Sequence, residues 1–160
     1  MFIYLEGVDG SGKSTLAKRL AARHDLRILH RGPIPAGRTF RQEYLDDVKK
    51  QLPGLVLDRG PISEQVYGLY LRKEVIGGPE DFTEVLRYYE SRQVIKIYLH
   101  APTPVLAYRI GSRGEEVPYA EDLEALHELY KRSIDDTWIT WDTSMLPPQE
   151  IRKLLKGQKP

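Results

Sequence analysis

The residues best suited to chemistry lie near the start of the chain. Gly7, four residues, Gly12, Lys13 and Ser14 fill the pattern G-x-x-x-x-G-K-[ST] without a mismatch. Gly7, Gly10 and Gly12 can take backbone angles closed to other residues. Such a loop turns its N–H groups inward around phosphate oxygens, and the helix that follows adds its positive N-terminal end. Gly7, Gly10, Ser11, Gly12, Lys13, Ser14 and Thr15 are therefore read as nucleotide-binding. Lys13 would neutralise the outer phosphates, and the Ser14 hydroxyl would hold Mg²⁺. A second candidate is Leu55-Val-Leu-Asp58-Arg59, an apolar run ending in an acid and a base. Asp58 can hold the metal shell and Arg59 can fork onto a phosphate. A third is Arg109-Ile-Gly-Ser-Arg113-Gly-Glu-Glu116, where two arginines four apart share a helix face and Gly111, Gly114 and Pro118 permit a hinge. That suits a lid, about 109–118, that closes arginines over a transferring phosphoryl group. Each has a purely structural alternative: a glycine-rich turn with a solvated lysine, an acid–base pair capping a strand, and a polar surface turn.

The elements that must position these residues alternate. Strands are expected at Phe2–Glu6, Arg27–His30, Leu55–Asp58, Val94–Leu99 and Trp138–Trp141. Helices are expected at Lys13–His24, Thr39–Gln51, Pro61–Leu71, Pro79–Ser91, Pro104–Ser112 after a Thr103 cap, Tyr119–Asp136 and Pro147–Lys156. Alternation of this kind implies an α/β fold of three layers, with a five-stranded parallel sheet flanked by helices. Its site lies beyond the carboxyl ends of the strands. The aromatic residues fit core positions, with base stacking by Tyr67, Tyr70 or Phe40 as the alternative. Of four scattered histidines only His30, at a strand end, is placed to touch a substrate.

The totals narrow the class. A chain of 160 residues is read as one domain, 1–160. With 41% hydrophobic and 29% charged residues it looks like an ordinary soluble globule. The net charge of +1 predicts neither a strong nucleic-acid binder nor an acidic tail. No cysteine is present, which excludes disulfides, thiolate zinc sites and a cysteine nucleophile. No apolar run reaches membrane-spanning length, so the expected compartment is the cytoplasm, with no membrane partner. Charge is distributed unevenly. Lys18, Arg19, Arg23, Arg27, Arg31, Arg38 and Arg41 share their stretch with Asp25 as the only acid, and acids dominate Glu115–Asp136. Most of these residues read as solvated faces; part of the basic group could meet a phosphorylated substrate.

Absences sort the phosphate-loop proteins. The chain has no asparagine, so it lacks the Asn-Lys-x-Asp guanine reader of GTPase switches, and it has no Leu-Ser-Gly-Gly of transporter ATPases. What is left is a compact enzyme moving the γ-phosphoryl group of a nucleotide to a small acceptor. Leu5-Glu-Gly-Val-Asp-Gly-Ser-Gly-Lys-Ser-Thr15 resembles the opening of thymidylate kinases. Asp58-Arg59, Ser63 and Tyr67 are similar to that family's Asp-Arg-Tyr-x-x-Ser-x-x-Ala-Tyr segment, and Arg109…Arg113-Gly-Glu to its lid. With His30-Arg-Gly-Pro33 and the run from Asp58 to Gly68, the chain most resembles short phage-encoded deoxynucleotide kinases, a group that includes 5-hydroxymethyluracil DNA kinases.

The resemblance implies ATP with Mg²⁺ as donor and a deoxynucleotide acceptor such as dTMP. It implies Lys13, Asp9, Arg59, Arg109 and Arg113 as catalytic, and Ser14 and Asp58 as metal-binding. Asp9, Arg31, Arg38, Arg59, Ser63 and Tyr67 would line the acceptor site, and a homodimer in the cytoplasm, a host's if phage-encoded, would be expected. Two departures stand out. Gly60 replaces the tyrosine after Asp-Arg, and Thr39–Gln51 leaves room for one helix where thymidylate kinases place two. The acceptor pocket should be shorter and more open. That opens a second reading, a DNA kinase phosphorylating the hydroxymethyl group of 5-hydroxymethyluracil, with Asp9 as general base. A third is a nucleotide-binding protein without turnover.

Overall fold

The computed structural model describes all residues, Met1–Pro160. Five parallel strands, β1 (Phe2–Glu6), β2 (Arg27–His30), β3 (Leu55–Asp58), β4 (Ile95–His100) and β5 (Ile139–Asp142), lie in the order β2-β3-β1-β4-β5. The helices are α1 (Lys13–His24), α2 (Asp47–Gln51), α3 (Pro61–Tyr67), α4 (Pro79–Ser91), α5 (Thr103–Gly111), α6 (Ala120–Ser133) and α7 (Gln149–Leu155). The expected three-layer α/β fold is present. The last two strands sit one residue later than the periodicity predicts, so Trp138 packs in the core ahead of β5.

β1 is buried along its whole length, and its side chains alternate between two cores. Phe2 and Tyr4 join the larger cluster under α4 and α6, where Tyr89 packs edge-on against both rings. Ile3 and Leu5 join Leu16 and Leu20 of α1 and Ile151 and Leu154 of α7 on the other face. Each fully buried Leu or Ile contributes about 1.5–3 kcal/mol by removal from water. Registers pairing Leu5 with Asp58, His30 with Asp58, and His100 with Asp142 gather the strand ends, and with them the polar residues, along one edge of the sheet.

Three helices differ from expectation in ways that bear on the site. The Thr39–Gln51 stretch enters α2 through a π-helical segment, Gln42–Asp46, and Pro61–Leu71 continues past α3 as a second one, Gly68–Arg72. The wider turn re-aims side chains, and here it brings Arg72 back onto Glu64. Thr103 is not a cap. Pro102 holds the N-cap position in extended geometry, and its carbonyl receives the Leu106 N–H at 3.1 Å. Arg109 and Arg113 do not share a helix face, because α5 ends at Gly111 and Gly114 turns the chain with φ of 75°. Most of the stretch expected as a lid, 109–118, lies past the end of α5, where residues 112–119 form a short turn and then chain without regular structure. No helix is long and apolar enough to cross a membrane.

Candidate active site

The phosphate loop closes over the end of β1. Gly7 has φ of 144°, and a Cβ there would run into the Leu99 carbonyl of β4, so glycine is required twice over. Lys13, buried at the start of α1, donates to the Val8 carbonyl at 2.9 Å and lies 3.4 Å from Ser11 Oγ. Burial first, and the neighbouring Arg59 second, push its ammonium down to about 8, against the pull of Asp9, Asp58 and Glu6.

Asp58 ends β3 beside this loop, 2% exposed. Its Oδ2 accepts from Ser14 Oγ at 2.8 Å and sits 3.0 Å from His30 Nδ1, whereas its Oδ1 is buried with no hydrogen-bond partner. An orphaned carboxylate oxygen next to a serine hydroxyl at the mouth of a phosphate loop is a donor set of hard oxygens, and it fits a Mg²⁺ ion that completes its shell with phosphates.

Arg59, the next residue, takes a left-handed φ of 70°, which turns it out of the strand toward the loop. It ion-pairs with Asp9 and lies over the Tyr67 ring, 4.9 Å from its centroid. Tyr67 Oη donates to Asp9 Oδ2 at 3.1 Å and accepts from the Asp9 N–H at 3.2 Å. Burial works against the Asp9 carboxylate, but Arg59 and Lys13 outweigh it and hold its pKa below the usual range. Tyr67, which the family resemblance places at the acceptor site and the aromatic pattern alone places in the core, lines the cleft beside Asp9 and Arg59.

Beneath this layer Glu6, fully buried, gathers the N–H groups of Gly60 and Ser63, both at 3.0 Å, and the hydroxyls of Tyr4, Ser63 and Tyr130. Burial raises its pKa, opposed by the hydrogen bonds from Ser63 and Tyr4. Ser63, expected to face the acceptor, has its hydroxyl committed to Glu6 and Tyr130, although the residue lines the cleft. Gly60 departs from the family tyrosine for a packing reason: a Cβ there would meet the Tyr4 ring.

Arg31 and Arg38 converge on Glu43 of the π-helical turn and Asp47 of α2. Arg31 reaches Glu43 Oε1 at 2.7 Å and Asp47 Oδ2 at 3.1 Å; Arg38 reaches Asp47 at 2.6 Å. Arg38 Nε is also 3.0 Å from Glu43 Oε2, close enough for an ion pair but misaligned for a hydrogen bond. Arg31 lines the cleft with Asp9 and Arg59, whereas Arg38 borders a separate cavity with Gln42 and Lys50. On the other side of the loop, Arg109 donates to Gly10 O at 3.3 Å, Thr143 Oγ1 at 2.7 Å and Thr143 O at 3.0 Å. It is docked on the phosphate loop and Thr143 from its place in α5. Arg113 lies in the exposed turn after α5, paired with Glu115 at 3.0 Å.

These residues line three connected clefts. The central one, about 190 Å³, holds Lys13, Ser14 and Thr15. It shares Asp9, His30 and Arg59 with a cleft of about 310 Å³ that also has Arg31, Glu64, Tyr67 and Arg72 on its wall. It shares Gly10, Gly12, Thr15 and Arg113 with a third, about 380 Å³, bordered by Arg19, Arg109, Trp141 and Thr143. Of the basic stretch from Lys18 to Arg41, Arg19 and Arg31 face these clefts, and Arg41 pairs with Glu84 on the surface. Sequence reasoning did not single out Glu6, Glu64, Arg72 or Thr143. Glu64 stands inside the Asp58–Gly68 segment, eight residues before its partner Arg72, and Thr143 stands just past β5, so position was the available signal; Arg109, the partner of Thr143, lies too far along the chain for spacing to reveal.

No protein-family model matches the sequence. The chain is 27% identical over 160 residues to the SPbeta prophage-derived protein YorR of Bacillus subtilis, with 94% of each chain covered. It is 30% identical over 142 residues to the thymidylate kinase of Mesoplasma florum, covering 78% of this chain and 56% of that kinase. Among solved structures, the same YorR protein, in complex with phosphorylated GDP, superposes with a TM-score of 0.74 at 23% identity over 98% of this chain and 92% of that one. The deoxyadenosine kinase of M. mycoides with bound dCTP gives 0.56 at 22% identity, over 98% of this chain and 95% of that one. The fold is that of the P-loop kinases, and these relationships support a nucleotide kinase, a phosphotransferase of the P-loop class.

Proposed function

We propose that the chain transfers the γ-phosphoryl group of ATP to a deoxynucleotide acceptor, in the first place a deoxynucleoside monophosphate such as dTMP. The observation that carries this reading is the continuity of the three clefts through Lys13, with Arg109 and Arg113 on one side and Asp9, Arg59 and Tyr67 on the other. ATP would enter the 380 Å³ side with its phosphates in the loop. Ser14 and Asp58 would hold Mg²⁺, which supplies neutralisation of charge on the outer phosphates. Lys13, charged below about pH 8, would stabilise the γ-phosphoryl oxygens as they gain charge. Arg113 would swing from Glu115 to the same group as the lid closes. Arg59 would exchange Asp9 for the acceptor phosphate and hold it in line with the γ-phosphorus. The attacking oxygen is then already anionic, and no strong base is needed.

One observation favours a second reading. Asp9 is an ionised carboxylate at the junction of the acceptor and phosphate clefts, where it can take a proton from an attacking hydroxyl. In that reading the acceptor is the hydroxymethyl group of 5-hydroxymethyluracil in DNA. Its proton passes to Asp9, its oxygen bonds to the γ-phosphorus, and ADP leaves. The experiment is γ-labelled ATP offered with dTMP, dGMP, thymidine and DNA containing hydroxymethyluracil. Label on a mononucleotide only establishes the first reading, and label on DNA only establishes the second. ATP binding with no transfer to any acceptor overturns both.

A further inference from the structure

A cavity of about 690 Å³ opens at the other end of the sheet, where the strands begin, and it is larger than any of the three clefts around the phosphate loop. Its floor is apolar: Met1 and Phe2 at the start of β1, Leu52 and Pro53 ahead of β3, and Ile95 at the start of β4. Its wall is cationic. Lys49, Arg92 and Lys159 line it, and no Asp or Glu side chain does. None of the three has a carboxylate within ion-pair distance, although the chain as a whole balances its charges to within one. Lys49 and Arg92 both lie over one ring, that of Tyr88, with Lys49 Nζ 5.0 Å and the Arg92 guanidinium carbon 4.9 Å from its centroid. Gln93, beside Arg92, adds an amide.

A half-open cleft of this size, with an apolar floor and a few charged groups on one wall, has the make-up of a small-molecule site. Uncompensated cations select an anion, and a guanidinium selects phosphate oxygens that it can meet in a fork. The apolar floor selects a ligand with a hydrophobic or aromatic body. We propose that this cavity binds a second nucleotide, base against Leu52 and Ile95 and phosphates on Lys49, Arg92 and Lys159, at a site separate from the phosphate loop. Phe2 and Ile95 head the strands that end at the loop and at His100, so an occupant rests on the base of the catalytic frame.

The test is isothermal titration with ADP at low ionic strength. The intact chain is expected to take up two equivalents. The double variant K49E/R92E should take up one, with at least a tenfold loss of affinity at the second site and unchanged circular dichroism. K13A should retain the equivalent that K49E/R92E loses, which separates this site from the phosphate loop. Hydrogen exchange should slow in 88–95 when ADP binds to K13A. A single equivalent in the intact chain that K13A abolishes overturns the proposal, as does a second equivalent that survives K49E/R92E. Inorganic pyrophosphate serves as the control: binding as tight as that of ADP shows an anion patch without a base site and also overturns it.

Discussion

Around the cleft proposed for the acceptor, Arg59 pairs with Asp9, Arg31 with Glu43 and Asp47, and Arg72 with Glu64. At the opposite end of the sheet Lys49, Arg92 and Lys159 line a cavity that no Asp or Glu side chain enters. The two regions carry the same charged groups and use them differently. Partners fix the position of a cation and make the site specific, because an incoming phosphate must replace or share the carboxylate already there. Cations without partners attract any anion of the right shape, through a field that salt screens. Binding in the proposed acceptor cleft should therefore depend on geometry, and binding in the far cavity on ionic strength.

The largest break in this contrast comes from Lys13, a buried cation at the phosphate end. K13M should lower phosphoryl transfer on the order of a thousandfold, about 4 kcal/mol of transition-state stabilisation, in a label-transfer assay. The same variant should be more stable at pH 7. Folding depresses the Lys13 pKa to about 8, so the charge costs stability fully below that pH, and the cost fades as pH rises from about 8 toward the unfolded value. Removing it should gain on the order of 3 kcal/mol, seen as a raised Tm at neutral pH that narrows toward pH 10. In the intact enzyme kcat/KM should fall as pH rises through about 8, as free Lys13 loses its proton.

Next in size is D9N, which separates a hydroxyl acceptor from a phosphate acceptor. Loss of a general base should cost about 10²–10⁴ in kcat, whereas loss of the Arg59 partner alone should change kcat/KM by about tenfold. T143V tests whether fixed cations matter on the donor side as well. Without the hydroxyl that holds Arg109, KM for ATP should rise by about tenfold, with kcat and the acceptor KM unchanged. The smallest effect belongs to the far cavity: K49E/R92E should leave kcat within about twofold, since neither residue approaches the loop. A steep salt dependence of ATP turnover that this variant removes would contradict the assignment of the two regions.

Much of the architecture could be read from periodicity. β1, β2, β3, α1 and α4 fall on the residues where apolar spacing puts them, because each is a compact run with clear punctuation. The phosphate loop and Asp58 could be read for the same reason, since their spacing is local. The π-helical turns were not legible: an extra residue in a helical turn leaves the apolar pattern almost unchanged. Nor was the docking of Arg109, which depends on Thr143 arriving from another strand, or the commitment of Ser63 to Glu6 and Tyr130. Arg31 and Arg38 look alike in sequence. Only the fold shows that one borders the cleft and the other stands behind it.

The alternation along β1 has a consequence for how such a chain can change in length. Phe2 and Tyr4 belong to one core, Ile3 and Leu5 to the other, and Glu6 to the polar knot under α3. Inserting or deleting one residue in β1 would exchange the two cores and carry the Glu6 carboxylate into the leucine-rich face against α1 and α7. Tolerated insertions should fall in 32–39 and 112–119, which belong to no helix or strand of the frame. A scan of single-residue insertions read by folded yield would map this division: a sharp minimum across β1 and plateaus over the two connecting segments.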